Sequence, residues 1–402
     1  MSSSSFSTPD FDTYPMHQVA ELTVKPLGLE IQWADGMVSH HLSPNLREHA
    51  PEPHTSHPTT RETMVEPQDI PAGFAITSAQ LLDTGFVSVS FSHTLSADDT
   101  GTCLYHPGWL YQTGLSSDTD FGADVSPILW DAAIFDDIPK INGSLVLDDS
   151  EEFYRFLLSL ARYGVAVVRG LPPEPEIIET LPGKIGVIRT SNFGHIFDVE
   201  TKPEADSNAY TSVELRAHTD LATREYMPGL QFLFCLQNDA TGGHSTLSDG
   251  FAVADFMRKQ DPDMFRLLST VPLDFANKAA TSDYRMAVPL FHHDENGQLN
   301  EVRWTSWLRA PLRGTLAEMA LVHEALRHAY LLGNNESFKV SFKLEPGDMM
   351  CFDNRRVLHG RTSFDPTSGA RRLRGCYVER EELWSALRIA ARQKRASHHS
   401  PS

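Results

Sequence analysis

Nowhere in the 402 residues does an apolar run reach the roughly 18 positions that a membrane-spanning helix requires, so no segment is expected to cross a bilayer. Cysteine is scarce. Cys103, Cys235, Cys351 and Cys376 stand far apart and form no C-x-x-C pair, which excludes a disulfide scaffold and a zinc ribbon. Basic residues are in deficit, 34 Lys and Arg against 53 Asp and Glu, and a formal net charge of −19 disfavours nucleic acid and anionic membrane as partners. No G-x-G-x-x-G, P-loop or G-x-S-x-G element occurs, which removes dinucleotide-binding, nucleotide-phosphate and serine-hydrolase readings. No internal repeat with a period of about 20–50 residues is present. The opening MSSSSFSTPDFDTYP has neither an apolar signal core nor an arginine, and a cytoplasmic protein is expected.

What is present suggests two or three units on a prior of about 150 residues each. Residues 1–14 are expected to be a disordered tail. The runs LEIQW and MVSHHL flank Ala34-Asp35-Gly36, a hairpin signal. Residues 49–61 are rich in Pro, His and Thr and predict a loop, whereas Phe86–Phe91 alternates with the period of a strand. Residues 15–115 therefore predict a small β-rich N-terminal domain, and 116–130 its connection to the rest. Asp149 to Tyr163 has helical spacing and an acidic first turn, with Gly164 as its stop and VAVVRGL as a buried strand behind it. Further strand-like runs are GLQFLFCL, STLSDG, SFKVSFKL, GDMMCFDN and RRLRGCYVE, with helical stretches at 251–270 and 314–332. Many separated strands with inserted helices predict a mainly β fold, a jelly roll over 130–395, rather than a doubly wound α/β sheet.

Arg216-Ala-His218-Thr-Asp220 is the sharpest short feature. On an extended strand, residues i and i+2 share a face, so His218 and Asp220 can offer a nitrogen and an oxygen to one metal ion. A second, distant histidine would complete a 2-His-1-carboxylate triad, which suits Fe(II) oxygenases. With 18 histidines in the chain, one H-x-D pair is equally well read as structural. His292-His293-Asp294 repeats the pattern, but the following Glu-Asn-Gly predicts a solvated hairpin turn. His359, in FDNRRVLHGR, supplies the distant histidine. Arg371 then opens the strand RRLRGCYV and can grip a carboxylate with a two-pronged fork. Arg372 and Arg374 beside it keep a plain surface charge open as the competing reading.

HTD, PGLQFLFCL with TGGHSTLSDGF, FDNRRVLHGR and RRLRGCY together resemble the γ-butyrobetaine and trimethyllysine hydroxylases, among the taurine-dioxygenase-like Fe(II)/2-oxoglutarate enzymes. The resemblance covers roughly residues 145–390. It implies a double-stranded β-helix jelly roll behind a small N-terminal domain. It further implies His218, Asp220 and His359 as Fe(II) ligands and Arg371 as partner of the distal carboxylate of 2-oxoglutarate. Ser245 falls at a hydroxyl position on the cosubstrate side, although His244 stands where the family more often has an acidic residue. The implied reaction consumes O2 and 2-oxoglutarate, releases succinate and CO2, and oxidises a substrate C–H bond. Halogenating relatives lack the carboxylate that Asp220 supplies, so hydroxylation or desaturation is expected.

In the carnitine enzymes an aromatic cage holds a trimethylammonium group by cation–π attraction. The matching positions are Phe193, Phe197, Tyr210 and Tyr377, with phenylalanine at two places where tyrosine and tryptophan are usual. Four ordinary core aromatics are the competing reading. Thr305 and Ser306 occupy the segment where the family has paired asparagines for the substrate, and their reach is shorter. The family's N-terminal domain often binds zinc through three cysteines and a histidine. Here the stretch Leu46–Pro51 has no cysteine, and His49, His54 and His57 lie in a Pro-rich loop. No zinc is expected; the domain would be held by its own core, with a homodimer interface as one role. Three functions stay open: a hydroxylase of γ-butyrobetaine or a related betaine, a tailoring oxygenase of specialised metabolism on the same scaffold, and a non-catalytic ligand-binding barrel. In each the partner is a small molecule.

Overall fold

The computed structural model describes residues 8–115, 123–200, 211–279 and 281–399. They divide into two units, one of residues up to 122 with those from Arg392 onward, the other Ala123–Ala391. No described helix is long and apolar enough to cross a membrane.

The first unit has two three-stranded antiparallel sheets. Val19–Lys25, Gly28–Trp33 and Val38–Leu42 form one; Ile76–Leu81, Val87–Phe91 and Thr102–Tyr105 form the other. The Asp35-Gly36 turn joins two of these strands, with Gly36 at φ +88°, a conformation that glycine adopts without steric cost. Leu29, Ile31, Trp33, Val87, Val89, Tyr105 and Leu110 make the core. Within Leu46–Pro51, Arg47 is fully buried. It donates to Asp99 Oδ2 at 2.8 Å and to the Thr55 hydroxyl, joining a short helix to the loop after Val87–Phe91. The expected disordered tail does not describe residues 8–14. Tyr14 Oη donates to Asp10 Oδ2, and Arg395 donates to both Asp12 oxygens at 2.8 and 2.9 Å. These partners, one local and one from the far end of the chain, are what a composition-based reading of a Ser-rich start leaves out.

In the second unit the helix Ser150–Tyr163 begins and ends as its sequence dictates. Asp149 caps it by accepting from Glu151 N and Glu152 N, and Gly164 terminates it at φ +70°. The strand Val165–Arg169 follows and enters a mixed sheet. Its order is Phe197–Val199, Arg371–Val378, Leu230–Asn238, Met349–Asp353, Val165–Arg169, Lys140–Asn142, with Ile188–Arg189 also pairing on the Arg371 strand. A second sheet runs Leu215–His218, Val357–Arg361, Ser245–Asp249, Lys339–Phe342. Val167, Cys235, Met350, Phe352 and Leu373 of the first sheet and Leu247, Val340 and Val357 of the second share one buried cluster, so the two sheets close on a common core. The single helical stretch expected over 251–270 is two helices, Gly250–Gln260 and Pro262–Thr270. Pro262 lacks an N–H and disfavours helical geometry at Asp261, which sits at φ −136°. His292-His293-Asp294 does lead into a hairpin turn, with Asp294 N–H donating to Gln298 O at 2.9 Å.

Candidate metal centre

The strand Leu215–His218 pairs antiparallel with Val357–Arg361, and His218 stands directly opposite His359. On its other side His359 is in register with Leu247 of the interior strand. The two imidazoles lie 4.1 Å apart between centroids, and both residues are buried.

Asp220 is not on the strand. The strand ends at His218, and the carboxylate hangs from the turn behind it. The shared-face spacing expected for His218 and Asp220 is therefore replaced by a clamped loop. Thr219 N–H donates to Trp304 O at 2.6 Å, and Trp304 N–H returns a bond to Thr219 Oγ1 at 2.9 Å. Asp220 N–H donates to Asn354 Oδ1 at 2.7 Å, while Asn354 Nδ2 donates to Asp220 O. Leu221 next to it is buried at φ +56°, a left-handed conformation that costs a branched residue about 1 kcal/mol or more.

Asp220 Oδ1 lies 3.3 Å from His218 Nε2 and 3.6 Å from His359 Nε2, and ligand atoms of the three residues all fall within 4.8 Å of one another. His218 Nδ1 is 2.9 Å from Arg216 O, which can only accept, so Nδ1 carries the proton. In the neutral ring the Nε2 lone pair then faces a carboxylate oxygen with no hydrogen between them. A cation relieves that opposition, and the spacings approach the roughly 3 Å between adjacent ligands of an octahedral ion with bonds near 2.1 Å. Burial, with repulsion from His218, pushes His359 down to about 3, which keeps its lone pair free at neutral pH. Burial works to raise the Asp220 carboxyl, but His359, His218 and the Tyr377 hydroxyl outweigh it and hold the group well below the usual carboxylate range. The donor set and its protonation fit a divalent cation.

Arg371 is half-buried, with a buried Nε that has no hydrogen-bond partner and no carboxylate paired to it among the described residues. Burial pushes its pKa down to about 10. A Cβ on Gly243 would come within 3.1 Å of that Nε, so the glycine leaves room for the guanidinium. Arg372 is exposed and Arg374 pairs with Asp198 at 3.1 Å, so of the three neighbours only Arg371 is a half-buried cation without a carboxylate partner among the described residues. Ser245 is buried in register with Arg361. Arg361 itself escaped the reading of the sequence. It is buried, donates to Thr211 O and Val213 O, and shares the Phe364 ring with Arg371 at 4.8 and 5.5 Å.

Phe193, Phe197 and Tyr377 come together, with ring centroids 5.9 Å apart for the first pair and 5.1 Å for the second. Tyr377 also reaches the triad, its Oη donating to Asp220 Oδ2 at 2.8 Å. Tyr210, the fourth expected cage residue, lies outside the described residues. Thr305 and Ser306 diverge: Thr305 is completely buried, while Ser306 is exposed and lines a cavity that none of the triad borders. The residue after them had no role assigned from the sequence. Trp307 sets its indole 4.7 Å from the His218 ring, between centroids. Asn354 was likewise given no role, although it lies within the FDNRRVLHGR run.

Two sheets around one core, with two histidines and a carboxylate gathered at the smaller, define a jelly-roll protein with a three-residue cluster that could hold a metal ion. The family described as taurine catabolism dioxygenase TauD, TfdA matches residues 129–377, and the chain belongs to that family. Over 388 residues, 95% of this chain and 99% of the relative, it is 37% identical to a γ-butyrobetaine dioxygenase of Pseudomonas sp. strain AK-1. It is 30% identical to the human γ-butyrobetaine dioxygenase over 259 residues, 63% of this chain and 66% of that protein. Among solved structures, an asparagine oxygenase in complex with Fe(II), 2S,3S-3-hydroxyasparagine and succinate covers 60% of this chain and 93% of its own, at 17% identity and a TM-score of 0.47.

Proposed function

We propose that this chain is an Fe(II)- and 2-oxoglutarate-dependent hydroxylase of γ-butyrobetaine or a closely related betaine, with its catalytic domain in the Ala123–Ala391 unit. The observation that carries the reading is the convergence of His218 Nε2, Asp220 Oδ1 and His359 Nε2. The near full-length similarity to a γ-butyrobetaine dioxygenase supports the substrate class.

Fe(II) held by these three residues supplies the redox chemistry that couples oxidative decarboxylation of 2-oxoglutarate by O2, to succinate and CO2, with hydroxylation of a substrate C–H bond. The protein positions the reactants. Arg371 pairs with the distal carboxylate of 2-oxoglutarate, and the buried Ser245 hydroxyl belongs to the same side. Tyr377 holds one Asp220 oxygen and leaves the other facing the imidazoles. Phe193, Phe197 and Tyr377 offer ring faces to a trimethylammonium group, and Trp307 shields His218 from water. A second reading, a tailoring oxygenase with another substrate, is favoured by one observation. Thr305 is sealed from solvent and Ser306 turns to a different cavity, so the polar end of the substrate is held differently from the family pattern.

A succinate-release screen separates these readings. With Fe(II) and 2-oxoglutarate present, γ-butyrobetaine should raise succinate above the substrate-free rate, and His359→Ala or Asp220→Ala should abolish it while the fold persists. Stimulation only by trimethyllysine or amino-acid derivatives would move the chain to the second reading. Failure to bind Fe(II) stoichiometrically under anaerobic conditions would leave a non-catalytic ligand-binding barrel.

A further inference from the structure

Behind the His218 strand lies a cavity of about 650 Å³, between the helix Leu316–Gly333 and the segment that carries Ser306 and Arg309. None of His218, Asp220, His359 or Arg371 lines it. Its volume is within the range of about 300–1,000 Å³ usual for small-molecule sites.

The charges along its wall are mostly compensated. Arg327 is paired with Glu324 at 2.8 Å and Glu336 with Lys339, while Arg216 lies 3.8 Å from Glu214. Arg309 is the exception: half-buried, it has no ion pair or side-chain hydrogen bond among the described residues. Tyr330 stands beside it, its hydroxyl enclosed on the side of the Thr305 backbone. Burial pushes that phenol up, against the pull of the Arg309 guanidinium and the Thr305 N–H. His323 adds a second donor, and Leu326 and Leu331 supply apolar wall. A chain of net charge −19 thus keeps an unanswered guanidinium beside this cavity.

We propose that this cavity is a second ligand site, which takes a small organic anion, a carboxylate on a short apolar body. The carboxylate lies against Arg309 and His323, and the apolar body lies along Leu326 and Leu331. A guanidinium fork matches carboxylate oxygens, and the leucines favour an organic body over inorganic phosphate. The occupant borders Ala217, whose N–H donates to Asn334 Oδ1 at 3.1 Å, one residue before His218.

The test uses the full, Fe(II)-loaded chain under anaerobic conditions, with hexanoate as probe in calorimetry or ligand-observed NMR. Hexanoate should bind saturably at one site. Arg309→Met should weaken that binding by at least about tenfold, the effect of a lost charge-assisted hydrogen-bond pair, whereas Tyr330→Phe, which removes only an enclosed hydroxyl, should leave it unchanged. Arg371→Met should leave it unchanged, which separates this site from the 2-oxoglutarate side. Thermal melts confirm that each variant folds, and Arg309→Lys, which keeps the charge without the fork, should bind at an intermediate level. Hexanoate binding that survives Arg309→Met, that vanishes with Arg371→Met, or that is matched by hexyltrimethylammonium overturns the proposal, as does the lack of any saturable binding.

Discussion

Tyr377 Oη and Asp220 Oδ2 are 2.8 Å apart, so the rear oxygen of the carboxylate is occupied while Oδ1 remains directed at His218 and His359. The same tyrosine contributes its ring to the cluster with Phe197. One residue thereby joins the orientation of the carboxylate to the wall proposed for the substrate.

Tyr377→Phe keeps the ring and removes the bond. Fe(II) affinity should fall by about tenfold, the effect usual for a hydrogen-bond partner of a metal ligand, while the KM for the betaine changes little. Anaerobic Fe(II) titration measures the first and steady-state succinate release the second. Unchanged affinity would show that the hydroxyl does not support the carboxylate.

The arginines can be told apart by paired variants. Arg371→Met should raise the KM for 2-oxoglutarate by about tenfold to a hundredfold, as expected for lost hydrogen bonds to a charged group. Arg372→Met, at an exposed position, should leave it unaltered. If the two variants behave alike, the anchor is not Arg371.

Gly375 faces Phe197 across the strand pair, and a Cβ there would come within 2.4 Å of the ring. Gly375→Ala must therefore displace Phe197 from Tyr377. The KM for the betaine should rise severalfold with the 2-oxoglutarate KM unchanged, and stability should drop by about 1–3 kcal/mol from overpacking. A betaine KM equal to that of the parent would remove Phe197 from the substrate wall.

The first unit carries a pH signature of its own. Burial, with a smaller contribution from His40, pushes His41 down to about 4, so folding opposes its protonation. The unfolded chain takes up the proton first as pH falls, near 6.5, and stability is lost from there down to about 4, amounting to about 3 kcal/mol. His41→Gln should flatten the stability profile in that window. Asp99 acts lower. Burial works to raise its carboxyl, yet the Leu95 and Gly101 N–H groups and Arg47 hold it below the ordinary value. Its contribution is present above an unfolded pKa of about 3.9 and is lost as pH falls through the folded one. Chemical denaturation midpoints between pH 8 and 3 would show both; a flat profile in the parent from 6.5 to 4 would contradict the His41 assignment.

The residues whose chemistry is distinctive were legible in the sequence: His218, Asp220 and His359 converge, and Arg371 is the uncompensated arginine of its run. Several strands of the two core sheets and the Ser150–Tyr163 helix were legible as well, because capping and alternation are local properties, whereas the paired strands Leu273–Ala279 and Ser282–Val288 were not expected. What escaped is set by contacts between distant segments. Asp220 owes its place to Asn354 and Trp304 rather than to strand geometry, and no spacing in the chain announces that. Trp307 reads as one more aromatic until the fold sets it on His218. Thr305 and Ser306 are neighbours of similar chemistry, and only the path of an irregular segment determines which is sealed and which is open. The Asp261-Pro262 dipeptide, by contrast, carries its helix break in plain sight.

The left-handed backbone at Leu221 has a practical consequence. Glycine there would relax the chain, and a search for heat-tolerant variants would tend to select it. The same relaxation would loosen the turn that holds Asp220 toward the histidines. Engineering for robustness should therefore treat residues 219–221 as off limits and seek its gains in the hairpins of the first unit.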